Sequence, residues 1–222
     1  MISKSDIFQN CPLYGMTAED LSFSHDNIKD VEAMLKAGIK VIQYREKDKS
    51  LLYMYNQCLK IREMTKAYGA TFIIDDHADL CLSVKADGVH IGQEDIPIEA
   101  VRSLLGDSYI IGLSTHSPEQ ARDALKRGAD YIGVGPIYAT KTKKNVCDPV
   151  GLNYLEYVAS NIDLPFVAIG GIKSHNLKDV YNHGAKTACL VTDIVGQENV
   201  EKHIKELLSI APQEAYPQKN PI

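Results

Sequence analysis

Short apolar segments alternate with longer amphipathic segments along most of the chain, and this alternation restricts the fold more than any other feature. The apolar segments have the length of β-strands, and a glycine often precedes them, as Gly38 does before 39–44. In the longer segments apolar residues recur at helical spacing, for example Ile28, Val31 and Leu35. Strands that alternate with amphipathic helices form parallel sheets, because each helix returns the chain to the start of the next strand. The sequence therefore predicts repeated βα units.

The apolar segments number eight, which favours a closed barrel over an open sheet. The predicted strands are 13–17, 39–44, 71–75, 88–91, 109–113, 131–134, 166–169 and 187–191. Eight parallel strands with intervening helices close into a (β/α)₈ barrel. A doubly wound sheet usually has fewer strands, and a dinucleotide-binding one carries G-x-G-x-x-G after its first strand, which this sequence lacks. We therefore predict the α/β class and a single TIM barrel over residues 1–210.

Composition and charge restrict the partners. The 222 residues are 45% hydrophobic, which suffices for one sizeable core. The net charge is -5 and the chain has no long basic tract, so we expect neither nucleic acid nor an anionic membrane as a partner. No uninterrupted apolar run approaches the roughly 18 residues of a membrane span. A small charged molecule is the expected ligand.

The cysteines and the end of the chain add two further expectations. The five cysteines are odd in number, widely spaced and free of C-x-x-C pairs, which argues against a disulfide framework or structural zinc and favours the cytoplasm. Residues 211–222 contain three prolines and have no apolar periodicity, so we expect a disordered C-terminal tail.

Charged residues follow several of the predicted strands, at the end of a barrel where active sites lie. Arg45 and Lys47 follow the second strand and Lys143 follows the sixth, a set of cations suited to a polyphosphate. Asp76 and Asp95 follow the neighbouring third and fourth strands, where two carboxylates can hold Mg²⁺ together with several waters. The alternative is that each aspartate caps the helix behind it and that the lysines are solvated surface residues.

A second anion site is indicated after the last two strands. Gly170 and Gly171 follow the seventh strand and Thr192 follows the eighth, the two loops whose backbone N–H groups frequently bind phosphate in barrels. The alternative is that the glycine pair only makes a tight turn. Histidines near the rim, such as His90 and His116, show no triad context, so we expect them to pack or to orient neighbours.

Four motifs in this order resemble the thiamin phosphate synthase family over about residues 13–194. They are Gln43-Tyr44-Arg45-Glu46-Lys47, the run from Asp87 to Asp95, the run from Asp130 to Pro136, and Ala168-Ile169-Gly170-Gly171-Ile172. Because each motif stands at a strand end, the resemblance is more specific than any single motif.

The resemblance implies a reaction and a set of residues. The reaction condenses 4-amino-2-methyl-5-(diphosphooxymethyl)pyrimidine with a (carboxy)hydroxyethylthiazole phosphate, giving thiamin phosphate and pyrophosphate by Mg²⁺-assisted dissociative substitution. The pyrimidine diphosphate would be bound by Gln43, Tyr44, Arg45, Glu46, Lys47, Asp75, Ser114 and Lys143. The thiazole phosphate would be bound by Thr140, Lys141, Thr142, Gly171, Val191 and Thr192. Catalytic roles would belong to Arg45, Lys47, Ser114 and Lys143, and one Mg²⁺ per subunit to Asp76 and Asp95.

One position departs from the family pattern. Asp75 stands where the family usually has asparagine, so an acceptor-only carboxylate replaces a neutral donor. Asp75 could tune the metal site or turn away and cap the next helix, and the sequence leaves both open.

Three rival functions are weighed against the resemblance. A thiazole tautomerase would need no pyrophosphate site, and a signalling receiver module would carry its paired acids after the first strand. A barrel that binds thiamin precursors without turnover remains open, as does assembly into a homo-oligomer.

Overall fold

The computed structural model of the protein describes residues 7–143 and 147–212, and their architecture is a barrel of eight parallel strands. The strands are β1 Gly15–Met16, β2 Val41–Tyr44, β3 Thr71–Asp75, β4 Gly88–Ile91, β5 Ile110–Thr115, β6 Tyr131–Val134, β7 Phe166–Ile169 and β8 Ala188–Cys189. Each strand pairs in parallel with the next one in sequence. The segment before β1 meets β8 through Tyr14 N–H to Ala188 C=O at 2.9 Å, which closes the sheet. The predicted TIM barrel is confirmed.

Helices connect the strands on the outside of the barrel. They are α1 Asn27–Lys36, α2 Leu51–Ala67, α3 Ala78–Val84, α4 Ile98–Leu105, α5 Pro118–Lys126, α6 Gly151–Asn161, α7 Leu177–Asn182, α8 Val191–Val195 and α9 Val200–Ile210. A short 3₁₀ helix, Glu19–Leu21, follows β1. Ser117 caps α5 by accepting from Gln120 N–H, with Pro118 as the first helical residue.

The prediction that the eighth strand extends to residue 191 was wrong. Val191 is β-branched and favours a strand locally, but helix α8 begins at Val191. The N–H of Ile194 donates to Leu190 C=O at 3.1 Å, so the chain turns into a helix directly after β8. The backbone after β8 therefore presents the first turn of a helix at the barrel rim.

Alternation along the strands separates two apolar layers. Phe72 and Ile74 on β3 face the helices, while Ile73 between them faces the barrel interior. The same alternation places Asp75, two residues after Ile73, on the interior side at the end of the strand. Strand periodicity thus decides which residues reach the interior.

The amino-terminal mouth of the barrel is filled by the segment before β1. Ile7 and Cys11 are buried in the interior layer, and the Phe8 ring packs edge-on against Tyr131 with ring centroids 5.2 Å apart. The opposite mouth, at the carboxyl ends of the strands, holds the cavity described below.

Helix α9 ends at Ile210, and residues 213–222 of the predicted tail lie outside the described residues. The five cysteines, all within the described ranges, are free thiols. Over the residues that the structure describes, the helices are too short or too polar to cross a membrane.

Candidate active site

A cavity of about 860 Å³ opens at the carboxyl ends of the strands. Most of the residues that we predicted for the two anion sites line this cavity. They are Gln43, Arg45, Lys47, Asp75, Asp76, Asp95, Ser114, Thr140, Lys141, Thr142, Lys143, Gly171, Val191 and Thr192. The structure therefore brings two groups of residues, distant in sequence, into one chamber.

Charged side chains interlock on one wall of the cavity. Lys47 Nζ lies 2.7 Å from Asp75 Oδ2 and also contacts the carboxylate of Asp76. Arg45 Nε lies 3.6 Å from the same Asp75 oxygen. Burial disfavours the charged form of Lys47, but the two carboxylates outweigh it, so the lysine pKa is raised above its usual value. In the free protein these cations are thus held in place by the aspartates.

The alternative that Asp76 and Asp95 cap helices does not fit the structure. His77 occupies the N-cap position of α3 and Pro97 that of α4. Asp76 instead contacts Lys47, and Asp95 Oδ2 accepts the N–H of Gly92 at 2.6 Å within its own loop. Both carboxylates line the cavity. Asp75 likewise faces the cavity and its cations rather than the start of α3.

The carboxylates of Asp76 and Asp95 suit a hard cation whose other ligands are oxygens of water and substrate. Within the described ranges, no three His, Cys, Asp or Glu side chains are grouped closely enough to enclose a metal ion by themselves. Two carboxylates on one rim are the pattern by which Mg²⁺ is commonly bound, with water and substrate phosphates completing its shell. Asp76 and Asp95 are therefore the residues that could hold such an ion.

A hydrogen-bonded row of side chains crosses the floor of the cavity. His90 Nε2 lies 3.0 Å from Ser114 Oγ, His90 Nδ1 lies 2.9 Å from the Tyr131 hydroxyl, and that hydroxyl lies 3.1 Å from the Tyr14 hydroxyl. Burial lowers the pKa of His90 to about 4, so the ring is neutral at physiological pH. Both ring nitrogens are engaged, which fixes the ring beneath Ser114.

A glycine makes room for this row. A Cβ at Gly112 would stand 2.2 Å from the Tyr131 ring and 2.5 Å from His90 Nδ1. The missing side chain on β5 therefore allows the rings from β4 and β6 to meet inside the barrel. Beside them Gln43 is buried on the cavity wall, and its Oε1 has no hydrogen-bond partner among the described residues. That oxygen is available to a donor on a ligand.

The second half of the chamber is built by the loops after β6, β7 and β8. Gly170 and Gly171 both have positive φ, and a Cβ at Gly171 would stand 2.6 Å from Ala139 C=O. The N–H of Tyr138 donates to Gly170 C=O at 2.9 Å, which joins the β6 and β7 loops. The glycine pair therefore allows the two loops to pack closely. It also makes the tight turn that the alternative interpretation gave as its only role.

Comparisons with known proteins match both the sequence and this geometry. The sequence model of the family described as thiamine monophosphate synthase matches residues 13–194. A thiamine-phosphate synthase of Pelotomaculum thermopropionicum is 61% identical over 198 residues, 89% of this chain and 91% of that protein. One of Caldicellulosiruptor saccharolyticus is 52% identical over 207 residues, 93% and 94% of the two chains. A thiamine phosphate pyrophosphorylase structure from Pyrococcus furiosus superposes with a TM-score of 0.84 and 34% identity, covering 92% of this chain and 96% of that one.

The chain belongs to the thiamine monophosphate synthase family. It is accordingly an enzyme of thiamine biosynthesis, a transferase that acts on small molecules. The resemblance inferred from the strand-end motifs is confirmed.

Two residues of the family motif do not line the cavity. Tyr44 follows Gln43 on β2 and therefore points to the opposite face of the sheet, where it is buried in the layer beneath the helices. Glu46 is buried beside the β1 loop, where its Oε1 accepts from Glu19 N–H at 2.9 Å and from Asn27 Nδ2 at 2.8 Å. We correct their assignment from substrate contact to support of the loop that carries Arg45 and Lys47.

Several cavity residues were not assigned from the sequence. They include Tyr14, Met16, His90, Gln93, Lys173 and Cys189. Strand alternation gives the signal for Tyr14 and Met16, since both occupy inward positions of the first strand. Lys173 stands two residues after Gly171 in the β7 loop, and extending the search beyond the glycine pair would have found it.

Proposed function

We propose that this member of the thiamine monophosphate synthase family joins the aminopyrimidine diphosphate to a thiazole phosphate, with release of pyrophosphate. The observation that carries the proposal is the division of one cavity into two chemically different halves. One half carries Arg45 and Lys47 against carboxylates, and the other carries Gly171 and Thr192 on adjoining loops. Two anionic groups on two different substrates require such a division.

The charged half is suited to the diphosphate. The Arg45 guanidinium offers paired N–H donors to phosphate oxygens, and the ammonium groups of Lys47 and Lys143 add positive charge. Ser114, whose hydroxyl is held by His90, adds a neutral hydrogen-bonding group at the floor. These groups would stabilise the charge that develops on the departing pyrophosphate.

Asp76 and Asp95 are the residues that would hold Mg²⁺, one ion per subunit. When bound, the ion would supply further neutralisation of the diphosphate oxygens. Both carboxylates line the same cavity as Arg45 and Lys47, and their oxygen ligands suit a hard cation.

The reaction breaks one C–O bond and forms one C–N bond. The electron pair of the C–O bond leaves with pyrophosphate, and the electron-rich aminopyrimidine stabilises the resulting benzylic-type cation. The Gln43 oxygen, which has no hydrogen-bond partner among the described residues, would accept a hydrogen bond from the pyrimidine amino group. The thiazole nitrogen then donates its lone pair to the cation. Because that nitrogen carries no proton, the reaction needs no general base.

The second half is suited to the thiazole phosphate. Thr140, Lys141 and Thr142 lie on the β6 loop, and the Thr142 N–H donates to Thr140 Oγ1 at 3.2 Å, which gives that loop a defined shape. Gly171 and the first residues of α8, Val191 and Thr192, line the cavity from the loops after β7 and β8. Holding the phosphate there would aim the thiazole nitrogen toward the pyrimidine.

One assay tests the proposal. Both substrates are incubated with Mg²⁺, and thiamin phosphate and pyrophosphate are quantified; equal amounts of the two products are expected. Chelation of the metal and Asp95→Ala should each abolish turnover, whereas Asp107→Ala, at an exposed position on the opposite end of the barrel, should not. Normal turnover in Asp95→Ala or without metal would refute the metal part. Thiazole isomerisation without pyrophosphate release would indicate a tautomerase instead.

The cysteines bear on the location of the protein in the cell. The free cysteines support a reducing compartment, and we propose the cytoplasm.

A further inference from the structure

Lys173 is a cation on the wall of the thiazole half of the cavity. It follows Gly171 and Ile172 in the β7 loop, and its Nζ lies 2.5 Å from Thr192 Oγ1 in the first turn of α8. The ammonium thus spans the gap between the two backbone segments proposed to receive the phosphate. The side chain is partly buried there.

The loop holds Lys173 in this position by several hydrogen bonds. The Lys173 N–H donates to Asn176 Oδ1 at 2.8 Å, and Asn176 Nδ2 donates to Gly171 C=O at 3.2 Å. The next residue, Ser174, donates its N–H to Asp193 Oδ2 at 3.0 Å, which ties the β7 loop to α8. The lysine is therefore carried by a fixed loop rather than by a free end of the chain.

The ammonium group of Lys173 has different surroundings from that of Lys47. Lys47 lies against two carboxylates, whereas within the described residues the ammonium of Lys173 is hydrogen-bonded to a neutral hydroxyl. The nearby Asp193 carboxylate oxygen is engaged by Ser174 N–H and by His203 Nε2 at 3.1 Å. A partly buried ammonium with donors to spare favours an anionic ligand.

The geometry points to Lys173 as a phosphate-binding residue that makes the enzyme select the phosphorylated thiazole over its free alcohol. This rests on the proposed function for the identity of the substrate. Backbone N–H groups alone hold a phosphate by dipoles, and a full positive charge beside them adds a charge-assisted hydrogen bond. The dephosphorylated thiazole alcohol offers no charge to Lys173 and gains nothing from it.

The test compares Lys173→Met with Lys173→Arg. Calorimetric binding of the thiazole phosphate should weaken about tenfold in Lys173→Met and should be largely kept in Lys173→Arg. In turnover, KM for the thiazole phosphate should rise about tenfold, with kcat and KM for the pyrimidine diphosphate changing less than about twofold. The preference for thiazole phosphate over thiazole alcohol, as a ratio of kcat/KM values, should fall by a similar factor.

A matched control is Lys178→Met, a lysine on an exposed position of α7 after the same loop, which should leave all these values unchanged. Loss of loop structure in Lys173→Met would weaken phosphate and alcohol alike and leave their ratio intact, which would overturn the inference. An unchanged affinity in Lys173→Met would also overturn it. Because calorimetry needs no turnover, a chain that binds thiazole phosphate through Lys173 but forms no thiamin phosphate would refute the proposed reaction and keep this inference.

Discussion

Asp75→Asn should strengthen binding of the pyrimidine diphosphate. In the wild-type protein the Asp75 carboxylate lies 2.7 Å from Lys47 Nζ and 3.6 Å from Arg45 Nε, so it competes with the diphosphate for both cations. An asparagine releases Arg45 from this ion pair, leaves Lys47 with Asp76 as its carboxylate partner, removes one negative charge from the site and offers a neutral N–H donor.

The size of the expected gain in binding depends on how exposed the ion pair between Asp75 and Lys47 is. Unit charges about 4 Å apart attract by about 4 kcal/mol at an effective dielectric constant of 20. The Asp75 side chain is 11% exposed but that of Lys47 is 37% exposed, so solvent screens the pair toward the range of about 0–1 kcal/mol of surface ion pairs. A net gain of about 1 kcal/mol corresponds to a roughly fivefold lower KM for the pyrimidine diphosphate.

Steady-state kinetics with each substrate varied in turn would measure this. KM for the pyrimidine diphosphate should fall and KM for the thiazole phosphate should stay constant, while Asp107→Asn at the opposite end of the barrel should change neither. An unchanged or higher KM for the pyrimidine diphosphate would refute the reasoning that Asp75 competes for the cations.

Three further predictions concern His90, Glu46 and Gly171. Because the pKa of His90 is about 4 in the fold, against about 6.5 unfolded, stability should be full above pH 6.5 and fall by about 2 kcal/mol by pH 5, measured by urea unfolding. Glu46→Ala, which removes the acceptor of the part-buried Glu19 N–H and of the buried Asn27 amide, should lower unfolding free energy by about 1–3 kcal/mol and raise KM for the pyrimidine diphosphate, whereas Glu46→Gln should do so less. Gly171→Ala places a Cβ 2.6 Å from Ala139 C=O at positive φ, so it should lower stability by about 1–3 kcal/mol and raise KM for the thiazole phosphate.

Each of these three predictions has a result that would contradict it. His90→Gln should lack the acid slope between pH 6.5 and 5, and an identical slope would assign it to other groups. Equal kinetics for Glu46→Ala and wild type would show that the β2 loop needs no such anchor. A fully stable Gly171→Ala with normal KM would show that the loops relax without affecting the phosphate site.

The fold was predictable because strand length, apolar alternation and glycine placement all indicated the same architecture. The third predicted strand, 71–75, coincides with β3, since Phe72 and Ile74 face the helices and Ile73 the interior. The end of the eighth strand was misplaced because β-branched residues such as Val191 favour strands locally, while the chain must turn outward to reach α9.

Site residues that directly follow a strand could be predicted from the sequence. Residues were harder to predict where the orientation of the side chain decides whether it faces the cavity. Gln43 and Tyr44 stand side by side in the motif, but only strand alternation tells that one faces the cavity and the other the helices. The partners of His90 and the hydrogen bond between Lys173 and Thr192 join residues from different loops, and one-dimensional spacing does not encode those distances.

The central claim is that one cavity holds a diphosphate half and a thiazole phosphate half. A crystal structure with Mg²⁺, pyrophosphate and thiamin phosphate tests it most directly. Pyrophosphate should lie against Arg45 and Lys47 with the metal on Asp76 and Asp95, and the thiamin phosphate group should lie at Gly171 and Thr192. Both phosphorylated groups on the same wall, or a metal bound away from the two aspartates, would contradict the account.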